Sequence, residues 1–510
     1  MSPHPAKPAF SAGYEELLRR WGEISDLGRA RALLAWDERT MMPAAGAAGR
    51  AEQISTLARV RHERLTDERL WELVEALGPQ TERADPAGLE AATVRAARRD
   101  CEKARKVPTE LRAEMARAAS HGETAWAAAR AESDLEAYLP HLTRNVELRR
   151  SYSDCFAPFD HPYDPLLDDF EPGLPTATAR QILAELREGL VPIVAAVAES
   201  TVTVAESPLQ GSFGVADQGR LTARLIGGLP LPPGSWRLDP TLHPFATSIA
   251  AGDVRLTTHY DPDDLSFALF SSLHEAGHGI YEAGVPPELR RGPIGNPVSL
   301  AFHESQSRLW ENWVGRSRPF LGRLLPLLRE ELGSEFDGVE LEDLYRSANR
   351  AHPSLIRVEA DELAYNLHIA LRFELELELF AGTLEASDLA EAWATRSSEY
   401  LALDVPDHAH GVMQDVHWAA GSFGYFPTYT LGNIIAAQLW ELAGAELGDP
   451  EELIEAGELV ALRDWLGERI HRHGARYQPA ELAERALGGP MDPAALLRRL
   501  RGKFGELYDF

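Results

Sequence analysis

The stretch Ser271-Ser272-Leu273-His274-Glu275-Ala276-Gly277-His278-Gly279 lies in an apolar, helix-period segment and reads H-E-x-x-H. Residues four apart on a helix project from one face a turn apart, so His274 and His278 point the same way. Two imidazoles at that spacing can take two corners of a tetrahedral metal site, with Glu275 beside the metal as a general base. A hydrolase of this kind needs three further parts: a third ligand, donors for the transition state and an anchor for the substrate.

Glu304, in Phe302-His303-Glu304-Ser305-Gln306-Ser307, is the best candidate for the third ligand, on the helix that follows the loop from Gly284 to Pro297. A three-histidine site would place its third imidazole where Gly284 stands, so the pattern is that of a glutamate-ligand site. The bland reading of Glu304 is a surface helix acid. His303 is a rival ligand, but helix neighbours point about 100° apart, so only one of the two reaches the metal.

The stretch Gly411-Val412-Met413-Gln414-Asp415-Val416-His417-Trp418 leads into a Gly- and Tyr-rich loop that contains Tyr425 and Tyr429. Read as a site, this loop offers a His and two Tyr as oxyanion donors. Read without context, it is a structural turn. Arg255 and Arg357 are candidate cations for a peptide's C-terminal carboxylate, a role that suits a bidentate guanidinium. For Arg357 the plain alternative is an intrahelical ion pair with Asp361, four residues on.

Around these motifs the pattern is mainly helical. Leu17, Leu18, Trp21, Ile24 and Leu27 recur at three- and four-residue steps, and Met42-Pro43 interrupts the run. The long charged stretch from Arg95 to Arg130 is expected to split at Pro108, and reads as a solvated surface, or as a wall or lid over a cleft. Asp160 to Gly173 raises a second metal site, against which stands the ordinary preference of turns for Asp and Pro. Leu209 to Tyr260 is the one stretch that reads as β-rich, and Asp253 to Tyr260 alternates like a half-exposed strand. An edge strand there, immediately before the metal helix, would give an extended peptide a backbone rail. From Ser299 onward the expectation is helix to the end, apart from loops near Gly333, Gly421 and Gly448. No repeat or flexible linker divides the chain, so residues 1–510 are expected to form a single domain, with helices of about 1–150 as the groove wall or lid and the catalytic motifs within 243–429.

Composition narrows the partners. A net charge of −28 over 510 residues argues against nucleic-acid binding. No apolar run is long enough to span a bilayer, and Met1 to Pro5 does not open a signal peptide. Cys101 and Cys155 do not make a disulfide framework. A soluble, cytoplasmic protein is expected.

Six motifs stand in order: His243-Pro244-Phe245, Asp253 to Thr257, His274 to His278, His303 to Gln306, Ile356 to Asp361 and Gly411 to Trp418. Together with Trp36 to Pro43, Tyr163 to Gly173 and Ile470 to Gly474, they resemble the M32 metallocarboxypeptidases, the carboxypeptidase Taq type, over nearly the whole chain. The resemblance implies a mainly helical, saddle-shaped gluzincin peptidase with a deep groove and a small sheet beside the metal helix, similar to neurolysin and angiotensin-converting enzyme. It implies a homodimeric, metal-dependent carboxypeptidase that removes single C-terminal residues with broad specificity. One divalent metal per chain is implied, zinc first, with cobalt or manganese also compatible. By position it makes His274, His278 and Glu304 the ligands and Glu275 the base. Arg255 and Arg357 become groove-end cations, and His417, Tyr425 and Tyr429 the donor set, with the choice of Tyr left open. Asp253, Asp361 and Asp415 are implied supports. The alternatives are an oligopeptidase or endopeptidase on the same fold, or a non-catalytic peptide-binding relative.

Overall fold

A computed structural model describes residues 12–81, 85–205, 208–351 and 354–510; the N-terminal reading of Met1 to Pro5 lies outside them. Helices dominate these residues, with one small sheet. The sheet is built from β1 (Trp236–Pro240), β2 (Ala246–Ala250) and β3 (Asp253–Thr258), in the order β1-β3-β2. β1 runs parallel to β3 and β2 antiparallel to it, with Gly252 in the tight turn between β2 and β3 at φ +74°. That positive φ is one that glycine adopts without steric cost.

The order corrects an expectation. β3, the strand directly before the helix that carries His274 and His278, is the central strand, paired on both sides, so its backbone is not a free rail. The edges are β1 and β2, and Ser248 of β2 already gives its carbonyl to the Arg29 guanidinium. The β-rich reading of Leu209 to Tyr260 is also too broad, because Val215–Gly227 is a helix. Its buried Gln218, Leu221, Thr222, Leu225 and Ile226 fall at helical steps, two of them polar, which breaks up the apolar signal.

Val254 and Leu256 of β3 face the helix Leu265–Gly284, where a Cβ on Gly279 would come within 3.0 Å of Leu256 and 3.1 Å of Val254. On another face of this helix lies Leu300–Arg308, and a Cβ on Gly277 would meet the Gln306 carbonyl oxygen and the Ser307 Cα at 2.6 Å. A third helix, Pro427–Leu447, closes on Leu300–Arg308 through Gly432. The large core runs from Val107 to Tyr508.

The first helices have a core of their own. Ala12–Thr40, Glu68–Thr81 and Leu89–Lys106 bury Leu17, Trp21, Ile24, Leu70, Val74, Leu77, Val94, Ala97 and Cys101 among themselves. Leu18, on the same periodic run, is left exposed at 37%. As expected, the long charged stretch splits at Pro108, the residue before the helix Thr109–Glu132. Polar and cation–π contacts join these helices to the sheet and to the loop that follows Gly284. The Trp36 ring lies between Arg255 (4.6 Å) and Arg237 (5.0 Å), Arg29 reaches Asn296 at 3.0 Å, and Arg291 pairs with Asp26.

Gly277→Ala drives a methyl into backbone, which a flexible neighbour cannot relieve. We expect a loss of about 1–3 kcal/mol, read as a lowered melting temperature and weakened metal binding. Gly467→Ala, at a helical glycine with nothing within 4 Å, serves as the control and should be neutral or slightly stabilising. Equal melting temperatures for the two variants would refute the close-packing argument.

Candidate metal centre

Asp264 starts the metal helix by accepting a hydrogen bond from the Ser266 N–H at 2.8 Å, and Ser299 caps Leu300–Arg308 in the same way. These starts set the phase of both helices. Glu304 Oε1 lies 3.8 Å from His274 Nε2, and Glu304 Oε2 lies 3.6 Å from His278 Nε2. One ligand atom from each of the three residues lies within 4.8 Å of the other two, a spacing that could hold a metal ion. Among the described residues this is the one such cluster. The second site raised at Asp160 to Gly173 does not form: the Asp164 carboxylate accepts from the His161 and Thr176 backbone N–H groups instead.

The far side of each ring is tied down. His274 Nδ1 lies 2.9 Å from Glu311 Oε2, and His278 Nδ1 lies 3.1 Å from the His303 carbonyl. A proton on each Nδ1 satisfies both contacts and leaves the Nε2 lone pairs facing Glu304. Burial, reinforced by His303 and His274, pushes His278 well below its usual value and keeps it neutral, as a ligand must be. His303 is no ligand in this arrangement. Its ring stacks on His278 at 4.3 Å and points to Glu282, 3.5 Å away.

Two partners escaped the sequence reading. The helix that carries Glu304 continues into a π-helical turn, Leu309–Gly315, which delivers Glu311. Arg308 then bridges both acids, donating to Glu304 Oε1 at 2.9 Å and to Glu311 Oε2 at 3.0 Å. Burial would raise the Glu311 carboxyl, but Arg308 and His274 hold it below the usual carboxylate range. A Glu-x-x-x-Arg-x-x-Glu run was visible, but its meaning depends on the π turn, which sequence spacing does not announce.

Glu275 is buried, and its Oε2 has no hydrogen-bond partner. Burial pushes its carboxyl up to about 7, with His274 opposing and Glu304 adding to the shift. An acid so poised can take and return a proton near neutrality.

The facing wall comes from residues 402–426 and the helix Pro427–Leu447. A Cβ on Gly432 would stand 2.7 Å from the Glu304 Cβ, so this helix presses directly on the candidate ligand. Tyr429, one turn earlier, approaches His417 Nε2 at 3.3 Å, and its ring lies 5.2 Å from that of Tyr425. Burial lowers His417 to about 4 and raises both phenols, so all three groups are neutral at pH 7.

Arg357 is not on a helix and makes no pair with Asp361. It sits in the 3₁₀ turn Arg357–Glu359, while Asp361 accepts from the Leu363 and Ala364 N–H groups. Its guanidinium is buried and donates to Asp415 (2.7 Å) and to the Tyr365 hydroxyl (3.0 Å). Asp415 also accepts from Arg372 at 2.7 Å. Arg255, on β3, is held at 3.0 Å by Asp253 on the same strand. The remaining motifs serve as fastenings: Phe245 N–H donates to Thr257 Oγ1 (2.7 Å), and Gln306 Oε1 meets His471 Nε2 (2.8 Å). A cleft of about 410 Å³ is lined both by Arg99 and Asp100 of the first helices and by Phe170, Glu282 and His303 beside the centre.

The model of the carboxypeptidase Taq (M32) metallopeptidases matches residues 16–504. Thermostable carboxypeptidase 1 of Thermus thermophilus is 43% identical over 506 residues, covering 98% of this chain and 99% of the relative. Carboxypeptidase 1 of Bacillus subtilis is 36% identical over 98% of this chain and 99% of its own length. The crystal structure of the M32 carboxypeptidase from Deinococcus radiodurans superposes with a TM-score of 0.93 at 38% identity, over 98% of this chain and all of that one. The chain belongs to the carboxypeptidase Taq (M32) family of metallopeptidases.

Proposed function

We propose that the site hydrolyses the C-terminal peptide bond of peptides, with His274, His278 and Glu304 holding one divalent metal, zinc first. The observation that carries this reading is the convergence of three ligand atoms within 4.8 Å beside a buried carboxylate that has an oxygen unpartnered. The metal, when bound, supplies Lewis acidity and makes a water nucleophilic at neutral pH. Glu275 takes that water's proton on Oε2 as the oxygen attacks the scissile carbonyl, and then returns it to the leaving amine nitrogen. The buried, neutral imidazole of His417 and the Tyr425 or Tyr429 hydroxyl donate to the carbonyl oxygen as it becomes an oxyanion. These groups strengthen their bonds as charge develops, which is what lowers the barrier.

Arg255 or Arg357 takes the substrate's terminal carboxylate. Each is already oriented by one aspartate, and Arg357 also by the Tyr365 hydroxyl; a guanidinium has five N–H donors, so these contacts still leave part of the fork free. The N-terminal helices, about 1–150, act as the groove wall or lid, a reading supported by the separate core of those up to Lys106 and by their share of the cleft.

Glu275→Gln should keep its metal, by elemental analysis, and lose about 10²–10⁴-fold in kcat. Full activity in a metal-loaded variant would overturn the base assignment. Hippuryl substrates with a free terminal carboxylate should be cleaved, and their amides should fall by about 10²-fold or more in kcat/KM, because the guanidinium contacts are lost. Equal cleavage of acid and amide would instead identify an endopeptidase. Chelation should abolish activity, and zinc, cobalt or manganese should restore it to different extents; activity that persists in protein shown to be metal-free would remove the metal from the mechanism.

A further inference from the structure

Glu376 belongs to none of the six motifs, yet it is fully buried in the middle of the helix Tyr365–Ala381. Its carboxylate accepts three hydrogen bonds. Trp418 Nε1–H donates to Oε1 at 2.7 Å, the Gly424 N–H donates to Oε2 at 3.0 Å, and the Tyr163 hydroxyl also donates to Oε2. Trp418 directly follows His417, and Gly424 directly precedes Tyr425. One side chain therefore grips both ends of the loop between two of the proposed donors.

The backbone at the second grip leaves no slack. Gly424 has φ +92°, and a Cβ there would come within 2.4 Å of the Leu166 carbonyl oxygen. One turn earlier on the same helix, the fully buried Arg372 holds Asp415, two residues before His417. Arg372 and Glu376 are four apart and oppositely charged, the spacing of an intrahelical pair. Both reach the 415–424 segment instead. A buried carboxylate that served only to fill space would cost more than a Leu or Met of similar volume. What it adds is a fixed acceptor for three donors on two other segments.

We infer that Glu376 is a positioning residue for catalysis, fixing the loop Trp418–Gly424 at both ends and so aiming His417 and Tyr425 at the developing oxyanion. The inference rests on the proposed donor role of those two residues. Glutamine keeps the shape but has one acceptor oxygen, so one of the two N–H donors then faces an NH₂ group, and one grip is lost. A positioning role of this kind leaves metal content and ground-state binding of the substrate unchanged.

The test uses the full-length, metal-loaded Glu376→Gln enzyme, a hippuryl dipeptide substrate and a phosphinic peptide that mimics the tetrahedral carbon. We expect unchanged metal content, KM within about twofold, and kcat lowered about 10- to 100-fold, as for donors shifted by a fraction of an ångström to 1 Å. Affinity for the phosphinic peptide should fall by the same factor as kcat/KM. A folded, metal-replete variant with kcat within about twofold of the parent overturns the inference, as does a rise in KM alone. If Glu376→Gln does not fold, Trp418→Phe removes a single N–H from the carboxylate and carries the same outcomes at about 3- to 10-fold. His417→Ala, measured in parallel, separates the two failures. If it retains full kcat, the donor reading itself fails. If it loses kcat while Glu376→Gln does not, only the positioning role fails. In the double variant the two losses should not multiply.

Discussion

The site depends on helices pressed together at glycines. Gly277 lies against the carbonyl of Gln306, and Gly432 lies against Glu304. Neither approach tolerates a side chain, and together they fix how far Glu304 stands from the two imidazoles. A metal site demands ligand positions good to a few tenths of an ångström. Side chains packed on side chains leave rotamer freedom of that order. Contact between main chains removes it, which explains glycine inside a sequence motif otherwise read for its histidines.

Dense packing around ionisable groups raises a second demand, that each buried charge have a partner. Three clusters meet it. Arg308 lies between Glu304 and Glu311, Asp415 lies between Arg357 and Arg372, and Glu376 collects three neutral donors. The first cluster stiffens the candidate ligands and the other two stiffen the loop that faces them. Tyr365 links the first two, since Arg308 stacks on its ring at 4.4 Å while its hydroxyl accepts from Arg357. The two walls of the site therefore share one polar frame.

Much of this was legible in the sequence because it rests on local spacing. His274 and His278 are one helical turn apart, and Pro108 stops a helix. The convergence of Glu304 followed from needing a third ligand on the next helix. What was not legible is non-local. Strand order is set by which strand returns to which, so β3 read as an edge although β2 and β1 flank it. Arg357 and Asp361 sit at a helical interval, but the buried Asp415, 58 residues on, outcompetes the local partner. Glu311 needed the π turn, and Glu376 needed knowledge of which loop lies over its helix. A glutamate in a run such as Phe373-Glu374-Leu375-Glu376-Leu377-Glu378 carries no mark that distinguishes it from its half-buried neighbours two residues away on either side.

The separate small core of the first helices has a thermodynamic consequence. Apolar burial is what gives a conformational change its heat capacity, and the contacts of these helices with the sheet and the loop after Gly284 include guanidinium groups on a carbonyl, a carboxylate and the Trp36 ring. Melting of either core therefore carries a large heat-capacity change. Dissolved ions weaken charge contacts within a Debye length of about 8–10 Å and leave oily ones almost untouched. The exposed Arg291–Asp26 pair is thus the part of the seam that salt weakens, while the buried Trp36 contacts are screened far less.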